Sequence, residues 1–259
     1  MKLEIRCPIK AARFGVVFAQ LKSFSDQIIL RPDHDGLSMQ CMDSSQVCLF
    51  DARLAAGWFD TYEFSEGDPS SLGVVPRVLA VALGTRKDNQ HVTVAASPGE
   101  DRIQVTIDGD DAHLDKLFSV QLIDVEAEVL DLGSQEDSQV DLTMETKKVV
   151  ELVTQLHMFD SQVDLRFKDE EIWMEARGDE GGLLVKVTLG DVIEYATAGE
   201  LEQQFSLAYL STICGFGKLA AQTEMCFTSE RPMEARFNLG EDSRATLYLA
   251  PKLGSDPYE

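Results

Sequence analysis

The 259-residue chain carries 45 Asp and Glu against 23 Lys and Arg, a formal charge of −22, with a sequence pI near 4.4. Averaged over a surface, that balance repels nucleic acid, because DNA binding draws on Lys and Arg to neutralise phosphates. A DNA-facing role therefore requires the basic residues to gather on one surface while the acidic ones sit elsewhere.

Hydrophobic content of 44% supplies ordinary core material, and no apolar run approaches the roughly 18 residues of a membrane span. Met1-Lys2-Leu3-Glu4-Ile5-Arg6 alternates like a strand and lacks the apolar stretch of a signal peptide. The expectation is a soluble, intracellular protein of two domains, without membrane partners.

Phe14, Val17, Phe18 and Leu21 recur at i, i+3, i+4 and i+7 and predict a helix with one apolar face. An alternating strand, a turn over Asp33 to Gly36 and a second strand follow, and Asp35-Gly36 suits a tight turn because glycine accepts positive φ. A second helix is predicted near Val75–Leu83, then strands through Ile103, Val105 and Ile107 and through Phe118, Val120 and Leu122. The segment 124–137 is acidic, irregular and interrupted by Gly133-Ser134, and reads as an extended interdomain connector. Leu130 and Leu132 are unusual residues to leave in water beside so many acids.

The pattern then recurs. Val149, Leu152, Val153 and Leu156 restate the first helix face, and Leu156, Phe159, Leu165 and Met174 each lie 135 positions after Leu21, Phe24, Leu30 and Met39. A turn over Lys168 to Glu171 answers that at Asp33 to Gly36. A second helix is predicted near Leu207–Phe216, with strands through Val185, Val187 and Leu189, through Ala235, Phe237 and Leu239, and through Ala245, Leu247 and Leu249. Constant register over this span indicates an internal duplication. Many strands with one polar face and two helices per half predict an α+β fold with antiparallel sheets. The expected division is 1–123, a connector at 124–137, and 138–259.

Candidate catalytic features are weak. Gly215-Phe216-Gly217-Lys218 lacks the spacing of a phosphate loop and has Leu219 where Ser or Thr is needed, so it reads as a helix end. Asp108-Gly109-Asp110-Asp111 lacks the ligand pattern of a calcium loop and reads as a turn. His34, His91, His113 and His157 are scattered, and the five cysteines (Cys7, Cys41, Cys48, Cys214, Cys226) show no C-x-x-C pair. Reduced, mostly buried thiols are expected, with no catalytic residues, cofactor or metal.

Three strings resemble the proliferating cell nuclear antigen (PCNA) family of sliding clamps: Met42-Asp43-Ser44-Ser45-Gln46-Val47, Phe59-Asp60-Thr61-Tyr62 and Leu247-Tyr248-Leu249-Ala250-Pro251-Lys252. Their order and separation also match, and the similarity extends across nearly the whole chain. The resemblance implies two similar domains of the DNA-clamp fold, with antiparallel sheets outside and two helices per domain lining a ring. Such a processivity factor encircles double-stranded DNA without sequence preference, is placed there by a clamp loader, and tethers DNA polymerase and other replication and repair proteins.

Site residues follow from the resemblance. The DNA-facing helices would offer Lys10, Arg13, Lys22, Arg77, Lys147, Lys148 and Lys218. The first helix, however, carries Ala12, Gly15, Val16 and Ala19 where the family places several lysines, and Thr154 and Ala208 fall where it tends to carry Arg. A pocket for PIP-motif clients (a Gln followed by aliphatic and aromatic anchors on a helical turn) would comprise Met42, Gln46, Val47, Leu49, Leu130, Leu132, Pro232, Tyr248, Ala250 and Pro251, with Leu253 at one edge. Gln46 stands where the family has His.

The subunit seam would join edge strands at Lys116–Leu122 and roughly Ile172–Gly178, with Phe118 as an apolar anchor. A homotrimer is the expected assembly. Alternatives are a subunit of a heterotrimeric clamp of checkpoint or archaeal type, or a protein-binding module that does not encircle DNA. The implied location is the nucleus, or the cytoplasm for an archaeal or viral source.

Overall fold

The computed structural model describes residues 1–109, 114–125, 130, 138–229 and 231–252. Two compact units emerge. The first comprises Met1–Gln46, Phe50–Leu130 and Leu239–Ala245; the second comprises Val47–Leu49, Asp131–Asn238 and Thr246–Glu259.

The first half of the chain runs β1 (Lys2–Ile5), α1 (Pro8–Phe24), β2 (Ile28–Asp33), β3 (Gly36–Met42), β4 (Cys48–Ala55), β5 (Thr61–Glu63), β6 (Leu72–Val74), α2 (Pro76–Gly84), β7 (His91–Ala96), β8 (Arg102–Asp108) and β9 (Lys116–Gln121). The second half runs β10 (Val140–Glu145), α3 (Thr146–Leu156), β11 (Gln162–Lys168), β12 (Glu171–Gly178), β13 (Gly181–Val187), β14 (Glu194–Thr197), β15 (Leu201–Ser206), α4 (Leu207–Gly215), β16 (Gln222–Phe227), β17 (Met233–Gly240) and β18 (Ser243–Leu249). Each half thus reads strand, helix, five strands, helix, three strands. The duplication seen in the sequence is a duplication of element order, and the fold is α+β with antiparallel pairing.

In the first unit, an antiparallel sheet of order β5-β1-β7-β8-β9 accompanies the run β6-β2-β3. Helix α1 begins with Pro8 at its first turn, where a missing N–H costs nothing. Phe14, Val17, Phe18 and Leu21 are buried, as their spacing predicts. Asp60, from the Phe59-Asp60-Thr61-Tyr62 string, accepts hydrogen bonds from the backbone N–H of Arg6 at 2.6 Å and of Cys7 at 3.2 Å, just ahead of that helix.

The Tyr62 hydroxyl lies 2.8 Å from the Asp33 carbonyl and also contacts that of Gly36, which pins the β2–β3 turn. Burial pushes the Tyr62 phenol up to about 12. Gly36 is required for more than its positive φ of 148°. A Cβ there would stand 2.1 Å from the Leu54 carbonyl oxygen.

In the second unit the sheets run β13-β12-β11-β15 and β14-β10-β16-β17. Phe167, Phe205 and Phe227 form an aromatic centre, with ring centroids 4.7 Å apart for Phe167–Phe227 and 6.1 Å apart for Phe205–Phe227. Thr146, at the start of α3, is buried because its hydroxyl is used, donating to the Ala220 carbonyl at 2.9 Å and lying 2.9 Å from the Thr223 hydroxyl. Gly215-Phe216-Gly217-Lys218 is the end of α4 and a 3-10 turn, with Phe216 buried.

One expectation is overturned. The stretch Ile172–Gly178 is not an edge: β12 pairs with β11 on one side and with β13 on the other. Alternation alone marks a strand but not its neighbours, and the hairpin through Asp179-Glu180 brings Gly181–Val187 outside it. The edge on that side belongs to β13, and β15 ends the sheet on the other.

Candidate functional site

Three surfaces follow from these elements. The first is the solvent face of the helices. On α1, Ala12 and Lys22 are exposed while Gly15, Val16 and Ala19 are half-buried. On α2, Arg77 is exposed beside Val78 and Val81, the latter 65% exposed. On α3, Lys147, Glu151 and Thr154 face solvent; on α4 Ala208 does, and Lys218 follows in the 3-10 turn.

The expected cations are not equivalent. Lys10 Nζ lies 2.7 Å from Glu241 Oε2, Arg13 donates to the Leu239 carbonyl at 3.1 Å, and Lys148 lies 3.6 Å from Asp191 Oδ1. Among the described residues none forms an ion pair with Lys22, Arg77, Lys147 or Lys218. The neutralising acids Glu241 and Asp191 were invisible in the sequence, since each arrives from an element remote in the chain.

The second surface centres, in the first unit, on the Met42–Gln46 turn. The Asp43 carboxylate accepts from the Ser45 N–H at 2.9 Å, and the Gln46 N–H reaches the Asp43 carbonyl at 3.0 Å, an Asx-stabilised turn. Gln46 is exposed with φ 58°, so its side chain projects from a left-handed corner. Met42 is half-buried at the end of β3, and Leu130 is 45% exposed.

The Gln40 side chain holds the backbone of Leu130 on both sides: its Oε1 accepts from the Leu130 N–H at 2.9 Å and its Nε2 donates to the Leu130 carbonyl at 3.1 Å. The same Nε2 donates to Asp51 Oδ1 at 3.1 Å. Neither Gln40 nor Asp51 was singled out from the sequence. A polar residue at an alternate strand position looks like ordinary solvent facing, and only the chain's return at Leu130 gives it a partner.

In the second unit, the Ala250 N–H reaches the Val47 carbonyl at 3.1 Å and the Lys252 N–H reaches the Gln204 carbonyl at 2.8 Å, which fixes the Leu247–Lys252 string. Val47, Pro232, Tyr248, Ala250 and Pro251 are half-buried. Leu49 is only 4% exposed, a core residue that can back a pocket but offers it no surface. Leu132 and Leu253 lie outside the described residues.

The third surface comprises two of the sheet edges. β9 ends its sheet, and Phe118, opposite Val105, is half-buried on it. β13 ends the four-stranded sheet of the second unit, with Leu184 51% exposed.

Comparison with known proteins bears on the family and the fold. The family described as "Proliferating cell nuclear antigen, N-terminal domain" matches residues 3–130. The DNA polymerase sliding clamp of Pyrococcus furiosus is 28% identical over 262 residues, covering 93% of this chain and 98% of the relative. The proliferating cell nuclear antigen of Chaetomium thermophilum is 24% identical, covering 85% and 87%. A chain from the crystal structure of a PCNA2–PCNA3 complex of Sulfolobus tokodaii superposes with a TM-score of 0.85 at 22% identity, over 97% of this chain and 99% of that one. Duplicated element order, the three signature strings in their structural places and full-length similarity lead to one conclusion: the chain belongs to the proliferating cell nuclear antigen family of sliding clamps.

Proposed function

We propose that this chain is one subunit of a ring that encircles duplex DNA and tethers polymerases and repair proteins to it, acting by binding and without a catalytic step. The observation that carries the reading is the duplicated unit, in which β9 ends a sheet of the first half and β13 ends a sheet of the second. Unpaired edges of this kind recruit a further strand, and head-to-tail pairing of unlike edges closes into a ring when the rotation allows. Phe118 and Leu184 are the apolar residues we assign to that seam. A clamp loader would open and close it.

Encirclement answers the difficulty of a −22 chain on DNA. A closed ring needs only weak, sequence-indifferent phosphate contacts, for which we assign Lys22, Arg77, Lys147 and Lys218, with Lys10, Arg13 and Lys148 held back by their own partners. To clients carrying the PIP motif we assign Met42, Gln46 and Leu130 of the first unit and Val47, Pro232, Tyr248, Ala250 and Pro251 of the second, with Leu49 buried in the second and Leu132 and Leu253 taken from the resemblance. Each buried anchor would contribute roughly 1.5–3 kcal/mol. The protein would act wherever DNA is copied, in the nucleus of a eukaryotic source or the cytoplasm of an archaeal one.

A second reading, a subunit of a hetero-ring, is favoured by the likeness to a chain of the PCNA2–PCNA3 complex. The native mass of the purified chain separates the two: a stable homotrimer supports the first, and a monomer that trimerises only with other subunits supports the second. Loading onto nicked circular DNA, with retention until the circle is cut, tests encirclement itself. A chain that binds clients but is never retained on circles is a binding module, and the clamp reading fails.

A further inference from the structure

Among the described residues, the chain is held within the first unit on both sides of the acidic stretch 124–129. Before it, the Ile123 N–H reaches the Gly73 carbonyl at 2.9 Å, and a Cβ on residue 73 would stand 2.2 Å from the Ile123 carbonyl oxygen, so the approach requires glycine. After it stands Leu130, held by Gln40.

The geometry of the second hold is specific. A primary amide offers a donor and an acceptor side by side, as a strand's peptide unit does. Gln40 therefore pairs with Leu130 as a neighbouring strand would, using one Nε2 hydrogen and Oε1. The other Nε2 hydrogen goes to Asp51. An ionised carboxylate only accepts, so Asp51 dictates which end of the amide turns towards it and hence which end meets the Leu130 N–H. Arg53 and Arg244 supply the positive charge near Asp51, while burial acts against its ionised form.

The backbone of Leu130 is thus fixed while its side chain remains 45% exposed. Gln40 and Met42 stand two residues apart on the same face of β3. The clamp accordingly stations an exposed leucine beside the face that carries Met42.

We propose that Gln40, oriented by Asp51, is a positioning residue that presents Leu130 to a client peptide and so sets the strength of client binding. This rests on the client-pocket reading above. A leucine already held in its bound position spares the ordering cost that a free segment would meet on binding.

The test is titration of the purified full chain with a synthetic peptide bearing Gln followed by aliphatic and paired aromatic anchors. Gln40→Met, which keeps the volume but loses the two hydrogen bonds to Leu130 and the one to Asp51, should weaken binding about fivefold or more, as should Gln40→Asn, one methylene too short. Asp51→Ala should weaken it, whereas Asp51→Asn, which retains an acceptor, should restore it. In a Leu130→Ala background, Gln40→Met should cost nothing further, since the residue acts through Leu130. Amide exchange at Leu130 should quicken in Gln40→Met without peptide, with the native mass unchanged.

Binding by Gln40→Met and Asp51→Ala equal to the parent's, or an undiminished Gln40→Met loss in the Leu130→Ala background, overturns the positioning role and leaves the pocket standing. Failure of the parent chain itself to bind the peptide overturns the pocket reading, and the positioning role with it.

Discussion

Lys10 Nζ lies 2.7 Å from Glu241 Oε2, so a cation expected to serve DNA already has a carboxylate of its own. Glu241→Gln should release it. A ring with three such cations freed should show a steeper fall of log affinity for duplex DNA with log salt, by about 0.9 for each lysine that reaches a phosphate. A salt titration with an unchanged slope would remove Lys10 from the DNA-facing set.

The seam prediction concerns Phe118 on the β9 edge. If Phe118 anchors the proposed seam, Phe118→Ala should shift the assembly towards monomer in sedimentation at micromolar concentration. Leu184→Asp on β13 should do the same from the other side, since it places a charge where a neighbouring strand would cover it. A persistent trimer in both variants would place the seam elsewhere.

Client affinity should depend on the connector leucines. Leu130→Ala combined with Leu132→Ala should lower affinity for a client peptide about tenfold or more, at roughly 1 kcal/mol or more per lost anchor. Titration without loss would reject these residues as pocket lining.

Tyr62→Phe should destabilise the protein by about 1–2 kcal/mol, because the Asp33 carbonyl loses its donor inside the β2–β3 corner. The pH dependence follows from the raised phenol. The unfolded chain gives up this proton near pH 10, whereas the folded protein holds it to about 12. Stability therefore falls as pH rises across that window, and the Phe variant should lose less of it there. Denaturant melts at pH 8 and pH 11 measure both effects.

Asp51 behaves oppositely to a surface carboxylate. Burial raises it above its ordinary value, against the Gln40 hydrogen bond and the charges of Arg244 and Arg53. The folded state therefore binds its proton more tightly than the unfolded chain, and stability is lost as pH rises from about 3.8 through the raised value. Asp51→Asn keeps the acceptor and removes the buried charge, so it should melt at a higher temperature than the parent at pH 7. The difference should shrink towards pH 3.8, and a variant that melts lower at pH 7 would contradict this account.

How far the sequence reaches can be judged residue by residue. The period of Phe14, Val17, Phe18 and Leu21, with its echo 135 positions later, was enough to define α1 and α3 and the duplicated order of strands. Periodicity and turn chemistry are local properties, written within a few residues of the element they shape. The same logic made Gly215-Phe216-Gly217-Lys218 legible as a helix end.

What the tertiary structure alone decided is partnership. Alternation at Ile172–Gly178 announced a strand, but the pairing of β13 outside it determined that β12 is no edge. Lys10 and Lys148 read as available cations until Glu241 and Asp191 arrived from distant elements. Leu49 read as a pocket residue until its burial was seen. Gln40 and Asp51 carried no signal at all, because their meaning lies in a backbone segment some ninety residues away. A side chain's own chemistry is fixed by its identity, but the charge, edge or surface it finally offers depends on what long-range folding sets against it.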